Sequence, residues 1–114
     1  MRTELREALD VWRQSLEESD VRTYLSLYSD EFRYRGMDKA AWSSYRLGAF
    51  DARDIESVRL DDVLLLADPE EPGLYLSRFT QEFVSDGNTV RTTKRLYWRR
   101  GEEKVWQIVA EGAG

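Results

Sequence analysis

Residues 74–100 read LYLSRFTQEFVSDGNTVRTTKRLYWRR. Two runs rich in aromatic and β-branched residues flank Asp86-Gly87-Asn88, which predicts a β-hairpin with strands over 74–85 and 89–100. A two-residue turn at Asp86-Gly87 opposes Glu82 to Arg91 and Thr80 to Thr93, both good cross-strand partners. It also opposes Arg78 to Arg95, which is unfavourable unless both are solvated. Sliding the turn to Gly87-Asn88 changes partners but not faces, because side chains alternate with period two. In either register Phe79, Gln81 and Phe83 share a face with Thr92, Lys94, Leu96 and Trp98. The apolar weight of that face turns it inward and leaves Gln81 and Lys94 as polar groups on an apolar surface. A buried lysine is costly unless paired. Its candidate partners are Glu111, Asp38 and the hydroxyls of Tyr24 and Tyr28.

Upstream of the hairpin, Ile55, Val58, Leu60 and Val63 to Leu66 suit a long strand with a bulge near Asp61-Asp62. Residues 68–73, Asp-Pro-Glu-Glu-Pro-Gly, form a loop by composition. Its carboxylates lack the Asp/Asn-Gly spacing of a calcium loop and read as a solvated turn. Downstream, a turn at Gly101 leads to a last strand over about 104–111. The first half of the chain is helical instead. Leu5, Ala8, Leu9, Trp12 and Leu16 make an i, i+3, i+4 stripe over 3–18. Ser19 and Asp20 cap a short second helix that buries Val21, Tyr24, Leu25 and Tyr28. Ser29-Asp30 then punctuates the chain, and Phe32-Arg33-Tyr34 is a short extended piece ending at Gly36. Asp38 caps a third helix over about 39–52, with Trp42, Tyr45 and Ala49 on one face. Helices first and a meander of four long strands afterwards make an α+β fold: three N-terminal helices packed on a curved antiparallel sheet.

The chain has 114 residues, enough for a single domain spanning 1–114 with one real core. Its net charge of −5 argues against a general nucleic-acid footprint. Arg91, Lys94, Arg95, Arg99 and Arg100 cluster in sequence, but a strand divides them between two faces. There is no cysteine and no histidine, which removes thiolate chemistry, the usual proton shuttle and the commonest zinc ligand. No apolar run approaches the ~20 residues of a membrane-spanning helix. No Gly-rich phosphate loop or Gly-x-Ser-x-Gly elbow occurs, and no cofactor is expected.

The order helix-helix-strand-helix and then a curved antiparallel meander resembles the nuclear-transport-factor-2-like superfamily, which includes polyketide-cyclase-like and ketosteroid-isomerase-like proteins. Particular words narrow the resemblance. They are Leu9 to Trp12, then Asp20-Val21-x-x-Tyr24-Leu25-x-x-Tyr28-x-x-x-Phe32, and Asp38-x-x-x-Trp42-x-x-x-Arg46. Phe79-x-Gln81-x-Phe83-x-Ser85, Lys94-x-Leu96 and Trp106-x-Ile108-x-x-Glu111 complete the series. The ordered set is similar to the C-terminal domain attached to some bacterial L,D-transpeptidases and envelope-associated proteins. That resemblance implies a cone-shaped fold with a pocket between sheet and helices. It implies no catalysis here, because the transpeptidase site needs a cysteine and a histidine. The implied function is a non-catalytic accessory or ligand-binding domain of a bacterial envelope protein. The implied location is periplasmic or envelope-associated if the chain is excised from a longer precursor, and otherwise cytoplasmic. The alternative is a small isomerase- or cyclase-like enzyme acting on a hydrophobic molecule in the cone.

The resemblance also implies a homodimer through the open sheet face, where the outward positions are expected to include Tyr75, Arg91, Arg95 and Tyr97. The candidate ligand-binding residues are Arg46, Gln81, Lys94, Glu111, Tyr24, Tyr28 and Trp42; no catalytic or metal residue is assigned. These groups read three ways. They form a satisfied polar network pinning sheet to helices. They form a pocket for a small polar or anionic ligand, with Lys94 and Arg46 as charge partners. Or Glu111 acts as a general base. Glu111 has the opposite parity to Trp106 and Ile108, so it reaches the pocket only if the last strand bulges.

Overall fold

A computed structural model describes residues 2–52, 54–101 and 105–113 of the chain, apart from the side chains at 2, 49–52 and 113. Helix α1 (Arg2–Glu17) and the short α2 (Val21–Ser26) lead into strand β1 (Tyr28–Tyr34) and the two-residue β2 (Met37–Asp38). Helix α3 (Lys39–Ala52) follows, then β3 (Ile55–Ala67), β4 (Leu74–Ser85), β5 (Asn88–Arg100) and β6 (Trp106–Ala113). The strands form one sheet in the order β2-β1-β6-β5-β4-β3. The helices close over one face of this curved sheet, which makes an α+β cone.

Local chemistry sets the element boundaries. The Asp20 side chain accepts a hydrogen bond from the Thr23 amide at the start of α2. Asp38 does the same for Ala41 at the start of α3, at 2.9 Å, so it serves the helix and does not reach Lys94. The β4–β5 hairpin turns at Asp86-Gly87, where φ is 51° and 78°, the left-handed pair that a two-residue turn needs. Its register is the predicted one: Glu82 faces Arg91, Thr80 faces Thr93 and Arg78 faces Arg95. The expected β3 bulge is present between Asp61 and Leu64, with Asp62 at φ 55°. The 68–73 loop is closed by Asp68 itself, whose carboxylate accepts from the Glu70 and Glu71 amides.

Four expectations need correction. Tyr28 is the first residue of β1, not the last of α2, and Ser29-Asp30 lie inside that strand. The sheet therefore has more than a meander: β1 joins it and runs parallel to β6, while every other pairing is antiparallel. This pairing is tied at its start by the Ile108 amide donating to the Leu27 carbonyl, 2.7 Å. Tyr75 does not face outward. It shares parity with Phe79 and packs edge-on against Trp106, at 5.1 Å between ring centroids. Tyr45 is 61% exposed, because the face of α3 turned to the core carries Trp42 and Arg46, one turn apart. The Ala49 side chain and Lys104 lie outside the described residues.

The core is aromatic. Trp12, Tyr24, Tyr28, Phe32, Trp42, Phe79 and Trp98 are each buried almost completely. The indole of Trp42 sits among Tyr24, Tyr28 and Phe32, with centroids 6.0, 4.2 and 4.8 Å away. Trp98 donates to the Ser77 hydroxyl at 2.9 Å, so both buried polar groups are satisfied. The edge strand β3 is held by α1. Arg13 donates to the Val58 carbonyl and the Val58 amide donates to Glu17, while Arg13 and Glu17 pair with each other. These contacts occupy backbone groups that an exposed edge would offer to another strand.

Candidate functional site

The polar residues inside the cone come from six elements. Tyr24 lies on α2, Tyr28 on β1 and Arg46 on α3, while β4, β5 and β6 supply Gln81, Lys94 and Glu111. What brings Glu111 inward is a bulge in β6. Tyr97 pairs with Ala110 but Trp98 pairs with Ile108, so Val109 is an extra residue and the parity flips beyond it. Glu111 then stands opposite the fully buried Leu96.

Tyr28 is the hub. Its hydroxyl accepts from the Trp12 indole N–H at 3.1 Å and donates to Glu111 Oε1 at 3.2 Å. The Tyr24 hydroxyl lies 3.1 Å from it. A phenol has one proton, and the carboxylate is the stronger acceptor, so Tyr24 donates to Tyr28 in turn. Arg46 donates to the Tyr24 hydroxyl at 3.2 Å, and its guanidinium lies over the Tyr24 ring. Burial pushes the Tyr28 phenol well above its usual range, with Tyr24 and Glu111 adding to the effect. Burial raises Tyr24 likewise, against the opposing pull of Arg46. Both phenols therefore stay protonated, and Tyr28 keeps its proton for Glu111.

The Lys94 ammonium lies 3.9 Å from the other oxygen of Glu111, with 23% and 11% of the two side chains exposed. Burial lowers the Lys94 pKa, Glu111 raises it and Arg46 lowers it again. Among the described residues Lys94 makes no hydrogen bond, and 3.9 Å is too long for one. Gln81 is 6% exposed, and its buried amide oxygen accepts no hydrogen bond. A cleft of about 170 Å³ opens onto Lys94 and Glu111, lined also by Tyr34, Thr92, Thr93 and Gly112.

Of the seven residues expected at the site, Tyr24, Tyr28, Arg46, Lys94 and Glu111 form one connected chain of contacts. Trp42 packs beneath it, and Gln81 stands apart on the same inner face. Sequence reasoning missed Trp12 as a donor to Tyr28 and Tyr34 as a cleft wall. The signal for Trp12 was its indole N–H, which a buried tryptophan must satisfy. Tyr34 carried none, because the pairing of β1 with β6 is long-range.

Residues 4–112 match the Cds6 C-terminal NTF2-like domain. The chain belongs to that family. Among solved structures this NTF2-like domain is similar to Bd1075 of Bdellovibrio bacteriovorus, with a TM-score of 0.84 and 21% identity over 99% of this chain and 40% of that one. It is also similar to the helical cell shape determining protein Pgp2 of Campylobacter jejuni, with a TM-score of 0.77 and 24% identity over 92% of this chain and 38% of that one. The chain thus spans about 40% of these two relatives. An NTF2-like protein from Cytophaga hutchinsonii matches over 97% of this chain and 94% of its own length, at TM-score 0.76 and 12% identity. The fold also carries structures named for ring hydroxylation and ketosteroid isomerisation. No curated protein matches the chain significantly. Among the described residues no helix is long and apolar enough to cross a membrane.

Proposed function

We propose that this NTF2-like domain is a non-catalytic ligand-binding module of a bacterial cell-envelope protein, associated with L,D-transpeptidase-type enzymes and located in the periplasm or at the envelope. Its cleft receives a small polar or anionic group on Lys94, with Gln81 on the same inner face of the sheet and Arg46 contributed by α3. The observation that carries the reading is the incomplete satisfaction of that face. Among the described residues Lys94 has one distant ion-pair partner, and the Gln81 amide oxygen accepts no hydrogen bond. Buried polar groups in that condition cost free energy until something binds them. Membership of a family named for a C-terminal domain supports the accessory role. The likeness to a cell-shape-determining protein supports the envelope setting.

The test uses purified peptidoglycan sacculi and the soluble muropeptides released from them. The domain binds them, and Lys94→Met weakens binding by about tenfold or more, the loss expected of one charge-assisted contact. Affinity also falls as pH rises through the Lys94 pKa. That fall comes at lower pH than for an ordinary lysine at 10.5, because burial favours the neutral amine. Calorimetric titration across the alkaline range measures both effects. Equal binding by Lys94→Met, or no binding to either material, overturns the proposal.

A second reading, an isomerase- or cyclase-like enzyme, draws on Glu111 standing at the cleft wall beside Tyr28. A cleft of about 170 Å³ suits a small group better than a drug-sized substrate, whose pockets start near ~300 Å³. The binding reading therefore leads.

A further inference from the structure

The outer face of the sheet, away from the helices, holds a like-charged pair at its centre. Arg78 on β4 stands directly opposite Arg95 on β5. Other arginines on this face have carboxylate partners: Arg59 and Arg91 share Asp61 and Glu82, and Arg99 pairs with Glu71. Arg78 and Arg95 have no hydrogen bond or ion pair among the described residues. The Nε of each is shielded from solvent without a partner. Opposed like charges weaken an antiparallel pair, and shielded donors without acceptors weaken it further.

Apolar side chains adjoin the pair. Leu64 is the β3 neighbour of Arg78, and the next row runs Leu66, Leu76, Tyr97. Leu64 and Leu66 are 50% and 47% exposed. From this juxtaposition we infer that the outer face docks an acidic segment of a partner protein. One carboxylate of that segment bridges Arg78 and Arg95, and its apolar neighbours lie on Leu64, Leu66, Leu76 and Tyr97. Charge complementarity selects this occupant. A second copy meeting this one about a two-fold axis at the pair would bring four guanidiniums together, so such an axis would have to pass elsewhere. An extended polyanion would meet Asp61, Glu71 and Glu82 on the same face of a chain whose net charge is −5. A single carboxylate among apolar side chains meets neither obstacle. The site is independent of the cleft at Lys94, which opens on the other face.

A phage-displayed library of random dodecapeptides, selected on the immobilised domain, provides the probe. Selected peptides carry Asp or Glu beside leucine or aromatic residues. They bind the Arg78→Gln/Arg95→Gln variant at least about tenfold more weakly and the Lys94→Met variant unchanged. A second variant guards against misfolding as the cause. Arg95→Glu turns the repulsive pair into an attractive one, so it raises Tm by roughly 3 °C while abolishing peptide binding. Three results overturn the inference. One is selected peptides without acidic residues, or with equal affinity for the double variant. Another is binding to phosphatidylglycerol-containing vesicles in place of peptides. The third is a dimer mass in light scattering that the Arg95→Glu variant loses, which would assign the face to a second copy.

Discussion

Trp42→Ala is expected to destabilise the domain by about 3–5 kcal/mol, because a fully buried tryptophan is removed from a packed interior. Few positions in the chain should cost more. The indole touches three aromatic rings contributed by α2 and β1, and stiff rings collapse poorly into the space it would leave. A domain of this size has roughly 5–15 kcal/mol in total, so the variant would lose about a fifth of its stability or more. It would also lose the support under Tyr24 and Tyr28, and with it the fixed position of Glu111. Urea denaturation at constant m measures the loss. A change below about 1.5 kcal/mol would mean that the aromatic cluster repacks around the missing indole.

The second large effect concerns the ion pair. Glu111→Gln leaves the Lys94 ammonium buried without a counter-charge, which costs roughly 3 kcal/mol near pH 7. The pH dependence has a definite sign. Burial already holds the folded-state pKa of Lys94 below 10.5, and losing Glu111 removes the one neighbour that raises it. Between the folded and unfolded values the unfolded chain binds the extra proton, so stability rises with pH in that window. The window widens downward in the variant. Its deficit relative to the parent protein should therefore shrink between about pH 7 and about pH 10. Adding Lys94→Met to Glu111→Gln should restore stability to within about 1 kcal/mol of the parent, since the lone ammonium is gone and the new amide oxygen still accepts from Tyr28. Urea midpoints for the single and double variants at both pH values test this. A deficit that does not change with pH, or a double variant no better than the single, would show that the pair is not what Glu111 supports.

The two halves of the chain were legible to different degrees, and the reason is physical. The β4–β5 hairpin could be read residue by residue. An Asp-Gly turn fixes the register locally, and period-two alternation then assigns faces without reference to the rest of the fold. The inward placement of Gln81 and Lys94 followed from that alone, and so did the opposition of Arg78 to Arg95. The apolar stripe of α1 and the caps at Asp20 and Asp38 are local in the same sense. Alternation was also enough to place Tyr75 inside, and its expected outward position contradicted the parity that put Phe79 inward.

Tertiary structure decided the rest. Tyr28 sits at a helix-compatible spacing from Tyr24 and Leu25, and only the parallel pairing of β1 with β6, some 80 residues apart in sequence, draws it into a strand. That pairing has no local signature, because parallel strands need no turn between them. The sequence stated the condition on Glu111, that the last strand must bulge, but not whether it is met. The extra residue Val109 is recognisable only against the register imposed by β5. Alternation and turn chemistry therefore determined the inner face of the hairpin and the like-charged pair behind it. The contact that makes the inner face a site, Glu111 reaching both Tyr28 and Lys94, was decided by long-range strand pairing.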